Sequence, residues 1–402
     1  MQGDPFHDHA NWRAFDLEQL GPGVGGYAES IFDGRYVYYG PERNYDASGR
    51  SAEAHANFLR YDTSLPFEDC AAWEVFNAAR ITGVEGGSVG MAFDGRFVYY
   101  APFRSGKTGE YNLFSVALRY DTHRPFGSEA AWTPFDMRVM HPSCGGYVGA
   151  EFDGRYFYCC PYYSDRRSVF ARYDTHGEFA NPDSWVTIDK LSFTRKFKGY
   201  IGARHVAGHV YFSPCYNDLL KRPHGLMLRV RCDADFRAKA SWESFDLETV
   251  DRSLVGYDGM ASDGRYVYYA PYYPRTGLEK GLRHGRVARF DTTRSFRDPA
   301  AWQAFDAERV FGPAATGYIG AGFDGAHIYF APVGNHVGYH GNVLRFDTRR
   351  PFAEDASWAL MNVAEHDDRR VYYDGAVACD GRSMYFVACG AGRKMLQYRL
   401  RD

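Results

Sequence analysis

Apolar and polar residues alternate along the chain in short runs of four to seven positions, dominated by Tyr, Val, Phe and Ile. That period and composition predict β-strands. The runs come in four kinds that recur in fixed order. The segment "TGYIGAGFDGAHIYFAP" (316–332) matches "CGGYVGAEFDGRYFYCCP" (144–161) and "VGYDGMASDGRYVYYAP" (255–271), each holding two runs. Further along, "NVLRFDT" (342–348) matches "RVARFDT" (286–292) and "NFLRYDT" (57–63) and supplies a third. A fourth reads W-x-x-F-D. In six units the first two runs are joined by Asp-Gly, as at Asp33-Gly34 and Asp324-Gly325, a pair suited to a tight hairpin turn. A longer D-T…W link joins the third and fourth.

The seven tryptophans measure the repeat. Trp12, Trp73, Trp132, Trp185, Trp242, Trp302 and Trp358 are the only ones in the chain, at intervals of 61, 59, 53, 57, 60 and 56 residues. Seven units of four antiparallel strands in 402 residues predict an all-β, seven-bladed β-propeller in a single domain. Blades are expected near 24–78, 86–137, 145–189, 198–247, 254–307, 315–362 and 371–402. The last ends in "KMLQYRLRD" with no fourth strand. "PFHDHANWRAFD" (5–16) is a fourth strand with no blade of its own. Segment 5–17 is therefore expected to pair with the third strand of blade 7 and close the ring.

The repeat resembles seven-bladed propellers of bacterial type. It lacks the Gly-His and Trp-Asp pairs of WD40 repeats and the Gly-Gly of kelch repeats. Its H-G-x-V-x-R-[YF]-D-T element is similar to the propeller portion of cylindrocyclophane-forming alkylating enzymes. That resemblance implies alkylation chemistry, with an Arg, an Asp and a Tyr polarising a leaving group and an aromatic nucleophile.

Composition narrows the setting. Aromatics make up 17% of residues, which favours strands. The formal net charge of −3 is not that of a nucleic-acid-binding polycation. No run approaches 18 apolar residues, so no membrane helix is expected. The first residues, "MQGDPFHDHANW", have no basic start and no apolar stretch, so the cytoplasm is the expected compartment. The eight cysteines include no C-x-x-C pair, and adjacent Cys159 and Cys160 read as small buried apolar residues. The sequence does not fix the oligomeric state; a monomer is compatible with it.

Strand alternation places the Asp-Gly hairpins and D-T…W links on one side of the ring, and the loops between strands two and three on the other. The latter differ among blades, which marks the face where function is free to sit. They carry fourteen Arg or Lys against seven Asp or Glu. A basic, Tyr-rich mouth is expected to bind a polar, anionic small molecule or oligosaccharide. Two positions past the Pro that ends strand two stand Arg43, Arg104, Tyr163, Tyr216 and Tyr273. The arginines suit forked binding of carboxylate, sulfate or phosphate. The tyrosines, with His336 in "PVGNHVGYHG", are candidates for proton transfer of the kind propeller lyases use. Lys107, Arg166 and Arg275 extend the basic rim. Tyr27, Tyr147, Tyr200, Tyr257 and Tyr318, from the G-Y of strand one, are candidate ligand contacts near the channel. Asp258 and Asp374 replace an apolar residue beside that Tyr, and acids there suit a general base or a channel cation such as calcium. No cofactor is evident.

Four histidines, His55, His224, His284 and His340, stand five residues before the strand-three Arg. Strands lie about 4.8 Å apart, so equivalent positions in neighbouring blades are on the order of 10 Å or more from one another. They cannot share one ion, and a turn-stabilising role in each blade is expected. The Arg and Asp of R-[YF]-D-T are expected to form structural ion pairs. No motif of a known mechanism occurs: no G-x-S-x-G, H-E-x-x-H, Walker or EF-hand sequence. Three functions fit: a funnel site with lyase-like chemistry open to it, an alkylating enzyme, or a non-catalytic platform for protein partners.

Overall fold

The computed structural model describes residues 4–45, 52–107, 112–162, 167–277, 280–366, 373–388 and 393–400. They form seven four-stranded antiparallel blades around an axial channel. Blade 5 shows the unit: Tyr257–Ser262, Tyr266–Pro271, Arg286–Asp291 and Trp302–Asp306, paired in that order from axis to rim. Helices are confined to short pieces, and among the described residues none is long and apolar enough to cross a membrane.

The Asp-Gly turns work differently from a two-residue hairpin. Asp33 Oδ1 accepts the amides of Arg35 and Tyr36 at 2.8 and 2.6 Å, and its Oδ2 accepts the Tyr38 hydroxyl at 2.7 Å. Only Gly34 takes a positive φ, 106°. Asp is needed as an acceptor of three bonds, Gly for its backbone. Blade 4 lacks the Asp and instead has the short turn, with Ala207 and Gly208 both at positive φ and Val206 paired directly to His209. The Arg that follows Asp-Gly reaches the Asp of strand three, as in Arg35–Asp62 and Arg265–Asp291, both 2.7 Å. These are the expected structural ion pairs.

Adjacent blades meet through aromatic rings. Each Trp indole N–H donates to the carbonyl of the Phe six residues earlier, at 2.8–3.2 Å in all seven blades. In five of the seven joints the other face of the Trp receives a Phe from the outer strand of the preceding blade; Ile188 and Met361 hold that position before Trp242 and Trp12. Phe305 on Trp358 is the tightest stack, 4.1 Å between centroids at 4°, and Phe15 on Trp73 follows at 4.6 Å and 10°. The strand-three Arg then lies over the link Phe of the next blade, as Arg289 over Phe352 at 4.2 Å and Arg60 over Phe126 at 4.9 Å. Stacking and cation–π contact each add about 0.5–1.5 kcal/mol beyond the area they bury.

Ring closure follows the expected route. Trp12–Asp16 pairs antiparallel with Lys394–Arg399, from Trp12 opposite Tyr398 to Asp16 opposite Lys394. The N-terminal segment also completes two joints. Towards blade 6, fully buried Phe6 lies under Arg345 at 4.3 Å, and Asp4 pairs with that Arg. Towards blade 1, Phe15 stacks on Trp73. Here strand three carries Gln397 where six blades have Arg, and Arg13 opposite it reaches Glu68 of blade 1 at 2.7 Å instead. Deleting residues 1–17 removes Phe6, Trp12 and Phe15, each worth about 3–5 kcal/mol when truncated in a core. Calorimetry should show one unfolding transition for the whole ring at a markedly lower temperature; an unchanged Tm would mean closure does not depend on this segment.

The joint between blades 3 and 4 departs from the pattern. Ile188 takes the Phe position, and Lys190 stands where other blades have Leu17, Met137 or Leu247. Lys190 is fully buried, with Nζ 3.2 Å from the Trp242 ring centroid and 4.0 Å from that of Phe193, and it has no hydrogen-bond partner among the described residues. Burial lowers its pKa to about 5, so the amine is neutral in the folded ring at pH 7. The unfolded chain binds the extra proton between pH 5 and 10, so this residue makes stability rise with pH across that window. Lys190→Met should raise stability at pH 7 by about 1–3 kcal/mol and flatten the rise between pH 7 and 9, read by denaturant unfolding at both values.

Candidate functional site

The variable face carries small additional ribbons. Arg43–Tyr45 pairs with Ala52–Ala54, Tyr216–Asn217 with Arg222–Pro223, and Gly334–Asn335 with Gly338–Tyr339. In blade 2 the second strand itself runs on to Ser105 and pairs with Asn112–Leu113. Inside this fence a cavity of ≈ 540 Å³, its open mouth included, sits over the axis. Its floor is one equivalent position of the first strands, apolar at Val89, Val148, Ile201 and Ile319 and acidic at Asp258. Its wall carries Glu42, Arg43 and Arg104 from blades 1 and 2, and Tyr162, Tyr272 and Tyr273 from blades 3 and 5. Below the apolar waist the channel continues past Glu29 and Arg204 to a second opening on the hairpin face.

Backbone geometry fixes the wall. The Gly before the strand-one Tyr has a positive φ, 67° at Gly26 and 71° at Gly256. Gly26 O accepts the amides of both Glu42 and Arg43, at 2.9 and 3.1 Å, and Gly256 O those of Tyr272 and Tyr273, at 3.0 and 2.8 Å. A Cβ on Gly256 would lie 2.0 Å from the Tyr273 carbonyl oxygen, and one on Gly26 1.6 Å from that of Arg43. Gly is therefore required where the chain turns two residues of strand two's end into the funnel.

The four expected pocket residues Arg43, Arg104, Tyr273 and Asp258 are brought together in the lining of this cavity. Arg104 is nearly buried, its guanidinium 4.2 Å over the Phe103 ring. Arg43 pairs with Glu42 at 2.5 Å. Tyr272 and Tyr273 lie 4.1 Å apart, with Arg283 over both rings at 4.7 and 5.0 Å. Burial raises the Tyr272 hydroxyl pKa to about 12, so it stays protonated at neutral pH. Tyr216 lies one step outside, its ring 6.2 Å edge-on from Tyr273. Glu42, Tyr162 and Tyr272 follow the strand-two Pro directly, and sequence reasoning, which looked one position further along, missed them.

Other expected residues lie elsewhere. Tyr27, Tyr147, Tyr200, Tyr257 and Tyr318 are fully buried inside the ring wall, so none is a ligand contact. Lys107 stands on the rim, paired with Glu53 at 3.8 Å. Arg275 and Arg222 both grip Glu248. His336 is exposed at the tip of the blade 6 ribbon. Tyr163 and Arg166 lie outside the described residues, and Asp374 is placed only as part of strand Tyr373–Cys379. Among the described residues no three His, Cys, Asp or Glu side chains are grouped to hold a metal ion.

Rim charge is also less one-sided than the loops alone suggest. Arg167 pairs with Asp189, Arg286 with Asp306 and Arg393 with Glu18. Those acids come from the ends of outer strands and the links after them, on the same face. The inner cavity itself holds two guanidinium groups and two carboxylates.

The four repeat histidines are structural. Backbone amides of Asn57 and Asn342 donate to Nδ1 of His55 and His340 at 3.3 and 3.1 Å. Nε2 therefore carries the proton and donates to the carbonyls of Gly26 and Thr316, at 3.3 and 2.8 Å. Each imidazole meets a strand-one Tyr ring edge-on: His55 with Tyr27, His224 with Tyr200, His284 with Tyr257 and His340 with Tyr318. Burial lowers all four pKa values to about 4. Because the unfolded value is near 6.5, unfolding takes up protons between pH 6.5 and 4, and stability falls as pH drops through that window. Thermal melts at pH 7, 5.5 and 4.5 should show a steep loss, made shallower by His340→Gln. A flat Tm over this range would contradict it.

Fold and site together define a seven-bladed β-propeller with an axial cavity on its variable face. No protein-family model matches the chain, and no curated protein matches it. Among solved structures it is similar to YCF48 bound to D1 peptide, at 11% identity and TM-score 0.56, covering 100% of this chain and 99% of that one. It is similar also to the Pan2 WD40 domain of Neurospora crassa, at 8% identity and TM-score 0.58 over 97% and 96% of the two chains. YCF48 from Cyanidioschyzon merolae gives 10% identity, TM-score 0.56 and coverage of 96% and 98%. At these identities the likeness shows the fold.

Proposed function

We propose that this protein is a binding protein whose axial cavity takes a small polar ligand carrying a single carboxylate. The observation that carries the reading is the meeting of Arg43 and Arg104, from different blades, in one cavity with an apolar floor and a tyrosine wall. A guanidinium matches a carboxylate in forked geometry. Glu42 and Asp258 in the same cavity oppose a multiply charged anion, so phosphate and sulfate are disfavoured. A monocarboxylate with an uncharged remainder, such as a sugar acid or an N-acyl amino acid, meets both conditions. The protonated Tyr272 serves as a hydrogen-bond donor rather than a base, which favours binding over proton abstraction.

Calorimetric titration of a panel of sugar acids and N-acyl amino acids, each beside its neutral amide or alcohol, tests this. Acids should bind and their neutral counterparts should not. Arg104→Gln should weaken binding by about 2–3 kcal/mol, as for loss of one charge-assisted bond, with the fold unchanged by circular dichroism. Equal binding of acid and amide would exclude the carboxylate reading.

A further inference from the structure

The cavity does not end at Tyr272. The same side chain forms one wall of a second, wider groove of ≈ 1020 Å³, open solvent included, which runs outward between blades 5 and 6. Arg283 covers the dividing ridge, donating towards the Tyr272 hydroxyl at 3.5 Å. The groove offers three chemistries in sequence from the axis. Arg283 and Tyr272 come first. Gly281, Gly334 and Gly338 follow, where no side chain separates the backbone from a ligand. The outer lip is uncharged and unusually exposed, with Val337 at 83% and Tyr339 at 49% beside Asn335. Soluble proteins seldom expose large apolar groups together except at interaction sites.

We infer that the axial cavity and this groove form one continuous site for the C-terminal end of an extended peptide. The inference rests on the carboxylate reading of the cavity. Its inner end holds the terminal carboxylate against Arg43 and Arg104, and the apolar floor receives the last side chain. Upstream residues cross the Tyr272–Arg283 ridge. Their backbone groups face the glycine-lined stretch, and apolar side chains cover Val337 and Tyr339. Charge complementarity sets the direction, because the Arg43 and Arg104 guanidinium groups lie at the axis, whereas the lip is formed by the uncharged Asn335, Val337 and Tyr339. A sugar acid or single amino acid would fill the cavity and leave the groove empty.

Three probes and two variants separate the possibilities. The probes are N-acetyl-leucine, which fits the cavity alone, an octapeptide with Leu at alternating positions and a free C-terminal Leu, and the same peptide amidated. The peptides carry an N-terminal fluorescein for anisotropy, and N-acetyl-leucine is measured by calorimetry. The free-acid peptide should bind about tenfold or more tighter than N-acetyl-leucine, and amidation should cost about tenfold, each step about 1.4 kcal/mol. The double substitution Val337→Ser with Tyr339→Ala lies on the surface; it should weaken the peptide severalfold and leave N-acetyl-leucine unchanged. Arg104→Gln should weaken both. If the peptide binds no better than N-acetyl-leucine and the lip variant changes neither, the groove inference fails while the cavity reading stands. If neither carboxylate binds, both fail.

Discussion

Everything in this ring depends on the tryptophan at each joint. One edge of the indole is tied by its N–H to a backbone carbonyl of its own blade, and in five joints one face is covered by a Phe ring of the preceding blade. The residue thereby fixes both the turn within a blade and the angle to the next. An aromatic stack tolerates little tilt, so five such joints among the seven leave little freedom in the ring as a whole. The N-terminal segment matters for this reason. It supplies one Trp and two Phe to the two joints that flank blade 7, and without them the chain would be an open arc.

The same regularity confines function. Residues repeated in most blades are spent on joints and turns: the Trp, the link Phe, the strand-three Arg, the Asp of the hairpin and the imidazole under the strand-one Tyr. What differs between blades lies at the axis and on one rim. The glycine carbonyl that accepts two amides from the end of strand two is common to blades 1 and 5, yet it presents Glu42 and Arg43 in one and Tyr272 and Tyr273 in the other. A uniform backbone device thus builds an asymmetric cavity, with Glu42, Arg43 and Arg104 from blades 1 and 2 and phenols from blades 3 and 5.

The ring, its blade count and its closure were legible because a Trp ruler and an orphan fourth strand leave one arrangement. Arg43, Arg104, Tyr273 and Asp258 were legible too, as departures from the repeat near the end of strand two or the start of strand one. Tyr27 and its four counterparts were misplaced for a reason the repeat itself contains. They recur in five blades, like the tryptophans, and recurrence marks packing. Rim charge was misjudged because the acids that neutralise Arg167, Arg275 and Arg286 stand some twenty to thirty residues away in sequence, in outer strands or the links after them. Glu42 and Tyr272 were hidden because strand alternation suggests opposite faces for consecutive residues, whereas the turn after the Pro brings both into the wall.

In the axial cavity, buried charge, aromatic surface and a largely apolar floor meet without being required by the ring. Methyl-labelled NMR reports on it directly, since Val89, Val148, Ile201 and Ile319 form the floor and the seven indole N–H groups report on the joints. On titration with a monocarboxylate ligand, shifts should be confined to those four methyl-bearing residues and their neighbours, with the indole signals still. Unmoved floor methyl signals, or shifts spread over the hairpin face and the indoles, would contradict a ligand site on the axis.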